Sequence, residues 1–258
     1  MRFQDNIAIV TGSGSGIGQA TAVRLAQEGA TVSVWDIDRD AAERTVETIA
    51  KDGGKSSAVG VDLRDESSIA SAFKNVVSSI GPPSVLVNNA GILRIAPAFD
   101  TTAELFDEVI TTNLRSVFLT SVNAARIMVE HSVPGRIVNV SSIHAVVSEP
   151  NASAYTAAKG GIEALSRTLA SEWARHRIRV NCVRPGATIT ALTKDLYTND
   201  IRRSLSIRVP LGYIAEATEI AAGICFLASE ESSYCTGTTL DIDGGYIMDG
   251  SLPEAVYE

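Results

Sequence analysis

Cysteine is scarce. Cys182, Cys225 and Cys235 are the only three among 258 residues, and their spacing fits no metal-ligand pattern. An odd count does not suggest a disulfide framework, so buried, reduced thiols in a cytoplasmic protein are expected. Long hydrophobic runs are also missing. No stretch approaches the roughly 18 apolar residues of a membrane span, and Met1–Asn6 leads into no basic-then-apolar segment of the signal-peptide kind. Positive charge is outnumbered, with 22 Lys and Arg against 30 Asp and Glu, a net charge of -8. Nucleic acids and anionic membranes reward the opposite balance, so neither is expected as a partner. Nor is there a low-complexity block, linker or shift in composition, so residues 1–258 are expected to form one domain.

What is present is alternation. Apolar, β-branched runs at 7–10, 31–35, 56–61, 85–87, 136–140, 179–183 and 238–241 read as strands. Between them, 19–28, 40–51, 66–80, 103–131, 155–176 and 217–228 carry helical spacing, the 103–131 stretch in one piece or two. Strands separated by helices of that length make βαβ units and a parallel sheet. Residues 187–215 show weak periodicity. A loop that long is unusual unless it works, and a substrate lid is expected there.

Between the first strand and first helix lies Thr11-Gly-Ser-Gly-Ser-Gly-Ile-Gly18. The spacing is Gly-x-x-x-Gly-x-Gly, using Gly12, Gly16 and Gly18, not Gly-x-Gly-x-x-Gly. The physics is shared: a tight turn without Cβ atoms, and a helix N-terminus aimed at a pyrophosphate. Asp36 ends the second strand, about 20 residues on. A carboxylate there accepts from the ribose hydroxyls of NAD and repels the 2′-phosphate of NADP. The competing role of helix N-cap suits Asp38 or Asp40 better. No cation lies in the glycine loop; Arg39 is the one nearby that could soften a preference for NAD.

Tyr155 and Lys159 are four residues apart, so on a helix they share one face. A phenol with a pKa of ~10 is a poor base at neutral pH. An ammonium held close favours the phenolate, which makes the pair a candidate for moving a proton on or off an alcohol oxygen.

With these residues in order, the sequence resembles the short-chain dehydrogenase/reductase family in its compact form. The likeness runs from about residue 5 to residue 248, through Gly12-x-x-x-Gly-x-Gly18, Asp62, Asn88-Asn-Ala-Gly91, Asn113, Ser142, Tyr155-x-x-x-Lys159 and Pro185-Gly186. It implies a single-domain, Rossmann-like α/β fold, a doubly wound parallel sheet of about seven strands with helices on both faces. It also implies catalytic roles for Asn113, Ser142, Tyr155 and Lys159, with Ser141 the lesser alternative to Ser142. NAD would be held by Gly12, Ser15, Gly16, Ile17, Gly18, Asp36, Ile37, Asp62, Leu63, Asn89, Ala90 and Gly91. Tyr155, Lys159, Pro185, Gly186, Thr188 and Thr190 would complete that site, although residue 188 is more often aliphatic in the family. Asn113 would anchor a water in a proton relay through Lys159.

The implied activity is NAD-dependent interconversion of a secondary alcohol and its ketone or lactone. Arg94, Ser142 and His144 are the candidate substrate contacts, and His144 points to a sugar, polyol or similar hydroxy compound. Ala152 and Leu196 stand where a hydroxybutyrate dehydrogenase would carry polar residues. His131 and His176, at helix C-termini, read as structural. A 3-oxoacyl-carrier-protein reductase has the same motifs but would favour NADPH and a basic patch. A nucleotide-sensing regulator would lack Tyr155 or Lys159. The family is commonly tetrameric, and Ala157, Ala158, Gly160, Gly161 and Ala164 would allow close helix packing against a neighbour. No metal is implied.

Overall fold

Seven parallel strands form one sheet in the order β3-β2-β1-β4-β5-β6-β9. They are β1 (Ile7–Thr11), β2 (Thr31–Asp36), β3 (Lys55–Gly60), β4 (Val85–Asn88), β5 (Gly135–Val140), β6 (Ile178–Pro185) and β9 (Thr239–Ile242). All seven expected strands are there, within one or two residues. The computed structural model describes residues 1–194 and 196–249. Asp195 of the expected lid and residues 250–258 of the expected domain lie outside the described residues.

The helices divide between the two faces as the strands' alternation dictates. On one face α1 (Gly16–Gln27), α2 (Arg39–Lys51) and α8 (Ala217–Ala228) bury Leu25, Ile49 and Ile220 against Val10, Val34 and Val138. On the other, α3 (Glu66–Ser79), α5 (Ser116–Glu130) and α6 (Ser153–Trp173) bury Phe73, Met128 and Leu169 against Ile9, Leu86 and Ile137. Trp35 meets Phe73 edge-on at 4.9 Å between ring centroids. No helix among the described residues is long and apolar enough to cross a membrane.

Three local departures bear on the site. Helix α1 begins at Gly16, not Gln19, so two of the loop's glycines sit inside its first turn. The 103–131 stretch is α4 (Ala103–Ile110) and α5 joined by a π-helical turn, Thr111–Arg115, which holds Asn113. Such bulges widen one turn and frequently accompany functional sites. The expected lid is not a plain loop. It starts and ends in a two-stranded pair, β7 (Thr188–Ile189) with β8 (Ala215–Glu216), and carries a helix, α7 (Asn199–Arg208). Helix α7 buries no residue and is polar throughout except for Ile201, Leu205 and Ile207, too narrow a stripe to register as periodicity. Thr198 caps it and Asp200 and Arg208 complement its dipole.

The strand order reverses between β1 and β4. In open α/β sheets a ligand binds outside the carboxyl ends of the strands at that switch point.

Candidate active site

A cavity of about 980 Å³ opens there, running from the end of β3 past β1 and β4 to the lid. Its floor is built by backbone approach. Gly12 has φ +60°, and a Cβ on it would lie 2.7 Å from the Ala90 Cα. A Cβ on Gly16 would stand 3.3 Å from Thr190, so the glycine loop faces the base of the lid. Ser15, the N-cap residue of α1, makes no capping bond, and no acidic side chain occupies the first turn. The positive end of α1 is therefore available to an anion, which suits the pyrophosphate of a dinucleotide. Gly18 does not line the cavity. A Cβ there would meet the Gly12 carbonyl oxygen at 2.2 Å, so its expected cofactor contact becomes a packing role beneath the loop.

Gly14, which the glycine spacing passes over, is as constrained. Its N–H donates to the Asp36 carboxylate at 2.8 Å, and a Cβ would strike both Asp36 and Ala41. The Asp38 N–H donates to the other Asp36 oxygen. Two backbone donors thus aim Asp36 at the cavity, while Asp38 takes the N-cap of α2. Arg39 pairs with Glu43 on the exposed face of α2 and does not line the cavity. Ile37, Asp62, Leu63, Asn89, Ala90 and Gly91 all line the same end. The Asp62 carboxyl is gripped by the Arg64 guanidinium, which holds it below its ordinary pKa. Asn89 is spent on the scaffold: its amide donates to the Thr11 and Gly12 carbonyls, joining β4 to the loop.

At the other end stand Ser142, Tyr155 and Lys159. Ser142 is buried after β5; its hydroxyl oxygen accepts the His144 N–H at 3.2 Å, and it lies close enough to Tyr155 to act on the phenol. The Ser141 hydroxyl points away, to Glu163 at 2.8 Å. Lys159 donates to the Val140 carbonyl at 2.8 Å and lies 5.5 Å from the Tyr155 ring centroid. Burial pushes Tyr155 above its ordinary value, against an opposing influence of Ser142, and pushes Lys159 down to about 8. The lowering of Tyr155 expected from Lys159 is therefore not the dominant effect in the protein alone. Asn113 is wholly buried; its side-chain amide pairs with both the N–H and C=O of Ile92. It shapes the turn after Gly91 and does not face the cavity.

Pro185, Gly186, Thr188 and Thr190 line the cavity under the lid. Thr188 is buried, its hydroxyl turned back to the Gly186 carbonyl. Arg94 lines the wall but pairs with Glu108 at 2.8 Å, which blunts it as an anion site. His144 lies 6.5 Å from Tyr155 between ring centroids, and its Nε2 is 3.3 Å from the Glu149 carboxylate. Burial holds the imidazole below its ordinary pKa, with Glu149 pulling the other way. Leu196 lines the cavity, while Ala152 does not. His131 and His176 are on the surface, bonded to the Ile127 carbonyl and to Arg175. Glu149 and Tyr197 line the cavity too, and no motif marked them; both lie in loops whose course only the fold sets. All three cysteines are free: Cys182 and Cys225 are buried, but Cys235 is only half-buried.

Known proteins share this arrangement. A family model described as Enoyl-(Acyl carrier protein) reductase matches residues 12–247. A short-chain type dehydrogenase/reductase from Mycobacterium marinum has a crystal structure that superposes with a TM-score of 0.92 at 32% identity, over 96% of this chain and 97% of that one. This chain belongs to the short-chain dehydrogenase/reductase family. It is an oxidoreductase of hydroxyl and ketone substrates, from a family that uses nicotinamide cofactors. The 3-oxoacyl-[acyl-carrier-protein] reductase FabG of Thermotoga maritima is 38% identical, over 96% of this chain and 100% of that protein. A protein from Agrobacterium tumefaciens with bound NADP, described provisionally as a 2-deoxy-D-gluconate 3-dehydrogenase, is 34% identical with a TM-score of 0.89. That likeness covers 95% of this chain and 98% of that one.

Proposed function

We propose that this family member is an NAD-dependent dehydrogenase of a sugar, polyol or related small secondary alcohol, converting it to the ketone or lactone. The observation that carries the substrate class is the His144–Glu149 pair beside Tyr155: a polar pair in the cavity wall suits a substrate with further hydroxyls. Support for NAD is the Asp36 carboxylate, aimed by Gly14 and Asp38, where a 2′-phosphate would be repelled.

Bound in this cavity, the oxidised dinucleotide supplies the hydride acceptor and a positive charge. Ser142 holds the substrate oxygen by a hydrogen bond. Tyr155 takes the hydroxyl proton. Lys159, fixed by the Val140 carbonyl, stabilises the phenolate and passes the proton on. Asn113 serves this relay by positioning: it locks Ile92 and with it Gly91, whose Cβ position is 3.8 Å from the Lys159 ammonium. The lid, residues 187–215, closes the substrate end. We place the enzyme in the cytoplasm as a homotetramer, with exposed Ala157 and Ala164 on α6 able to admit a neighbour closely.

A second reading, reduction of a 3-oxoacyl thioester, is favoured by the Thermotoga relative and by the apolar lid side chains Leu192, Leu196, Ile201 and Leu205 in the cavity wall. Steady-state assays over polyols, aldoses, hydroxy acids and acyl thioesters, each with both dinucleotides, separate the two. Turnover of polyols or aldoses with NAD is expected; strong preference for NADPH and acyl thioesters overturns the first reading.

A further inference from the structure

The loop that joins Ser142 to Tyr155 is held in an unusual shape. Asn151 adopts φ 66°, a left-handed conformation that asparagine tolerates better than most residues. Its carbonyl accepts the Ala96 N–H at 2.8 Å, which ties this loop to the segment after Gly91. The tie places Glu149 over the cavity, five residues from His144 in sequence and in contact with it. The His144 Nδ1 is buried with no partner of hydrogen-bonding geometry. The Nε2 stands 3.3 Å from the Glu149 carboxylate, and the Val147 backbone acts on the same imidazole. The Glu149 carboxylate keeps acceptor capacity, because a carboxylate offers about four lone-pair sites and His144 stands beside one of its oxygens only. Its side chain is 42% exposed and lines the cavity. Tyr197 lines the same cavity from the lid, its half-buried phenol pushed up by burial first and then by Tyr155 and Glu149. Two segments distant in sequence, the 142–151 loop and the lid, therefore converge beside Tyr155, and both line the cavity with groups that bond hydroxyls.

We propose that Glu149 is the specificity-determining residue for a second hydroxyl of the substrate, on a carbon neighbouring the one oxidised. It accepts that hydroxyl beside His144, and Tyr197 covers the same hydroxyl from the lid. The inference rests on the proposed function and narrows it to vicinal diols. A carboxylate built to accept a hydroxyl is left partly unpaired when a substrate lacks that group, which is the strongest way for a site to reject an analogue.

The test compares kcat/KM for cyclohexane-1,2-diol and for a hexitol with that for cyclohexanol, using the full chain and NAD. Glu149→Leu removes the acceptor; Glu149→Gln keeps one acceptor oxygen. The wild type is expected to favour the diols over cyclohexanol by at least ~10-fold, the range of one hydrogen bond to a charged group. Glu149→Leu is expected to collapse that ratio, and Glu149→Gln to restore part of it. A purely structural Glu149 would depress all three substrates together and keep the ratio; that result, or a wild type without preference, overturns the inference and leaves the proposed function standing. If no alcohol is oxidised while acyl thioesters are reduced, the proposed function fails, and the inference with it.

Discussion

Lys159 is the residue on which stability and function pull apart. It is 4% exposed, with its pKa down to about 8 from an ordinary 10.5. The folded protein thus binds its proton less readily than the unfolded chain does. The penalty is present in full below about pH 8 and fades as pH rises towards 10.5. Lys159→Met is expected to abolish turnover yet raise stability at pH 7 by about 1–2 kcal/mol, after the lost Val140 hydrogen bond offsets part of the gain. Thermal unfolding followed from pH 7 to 10.5 checks the sign: the advantage of the variant should shrink with pH. Tyr155→Phe should keep the fold and lose ~100-fold or more in kcat, the usual weight of a general base. Because burial raises Tyr155, the wild-type oxidation rate should climb with pH on a limb that belongs to the Tyr155–Lys159 pair. A pH–rate profile that stays flat above pH 7 contradicts this.

Among the elements, α6 carries Tyr155 and Lys159, the pair proposed to move the proton, and is clamped from beneath. Glu163, one turn beyond Lys159, accepts from Ser141 and from the Arg184 guanidinium, which reaches on to Asp241 on β9. Helix α6 is thereby pinned to the strand that delivers Pro185 and Gly186. Glu163→Ala leaves Arg184 with Asp241 alone, and urea denaturation should report a loss of about 2 kcal/mol. The glycine loop is a second such unit. Gly14→Ala forces a Cβ to 2.9 Å from the Asp36 carboxylate. It should weaken NAD binding and erode discrimination against NADP by ~10-fold, as the ratio of the two kcat/KM values would show. Equal losses for both cofactors would mean that Gly14 only shapes the turn.

For the whole molecule, the exposed side chains are uneven. Phe106 and Phe118 stand 38% and 45% exposed on α4, which packs against α6, and on α5, which shares a face of the sheet with α6. Surface of that kind is what a neighbouring subunit covers. Analytical ultracentrifugation is expected to give a tetramer of the 27.2 kDa chain, and Phe118→Asp to shift it to smaller species. A monomeric wild type would refute the proposed assembly.

The sheet was legible in the chain because strand and helix periodicities are local and both faces of each central strand are apolar. The glycine loop, Asp36 and the Tyr155–Lys159 pair were legible because their spacing along one element sets their direction. The residues that miss the cavity, Gly18 and Asn113, are packed beneath it by contacts with Gly12 and Ile92 that spacing does not encode. Helix α7 is not marked in the chain because Ile201, Leu205 and Ile207 make a stripe too narrow to register as periodicity. Gly14 and Tyr197 depend on partners far away in sequence, Asp36 and Ala41 for the first, Tyr155 and Glu149 for the second, while Glu149 sits on a loop that the Asn151–Ala96 bond ties down. Only the tertiary structure, closing the strand ends and the lid over one cavity, decides those neighbours and hence what else the substrate must carry.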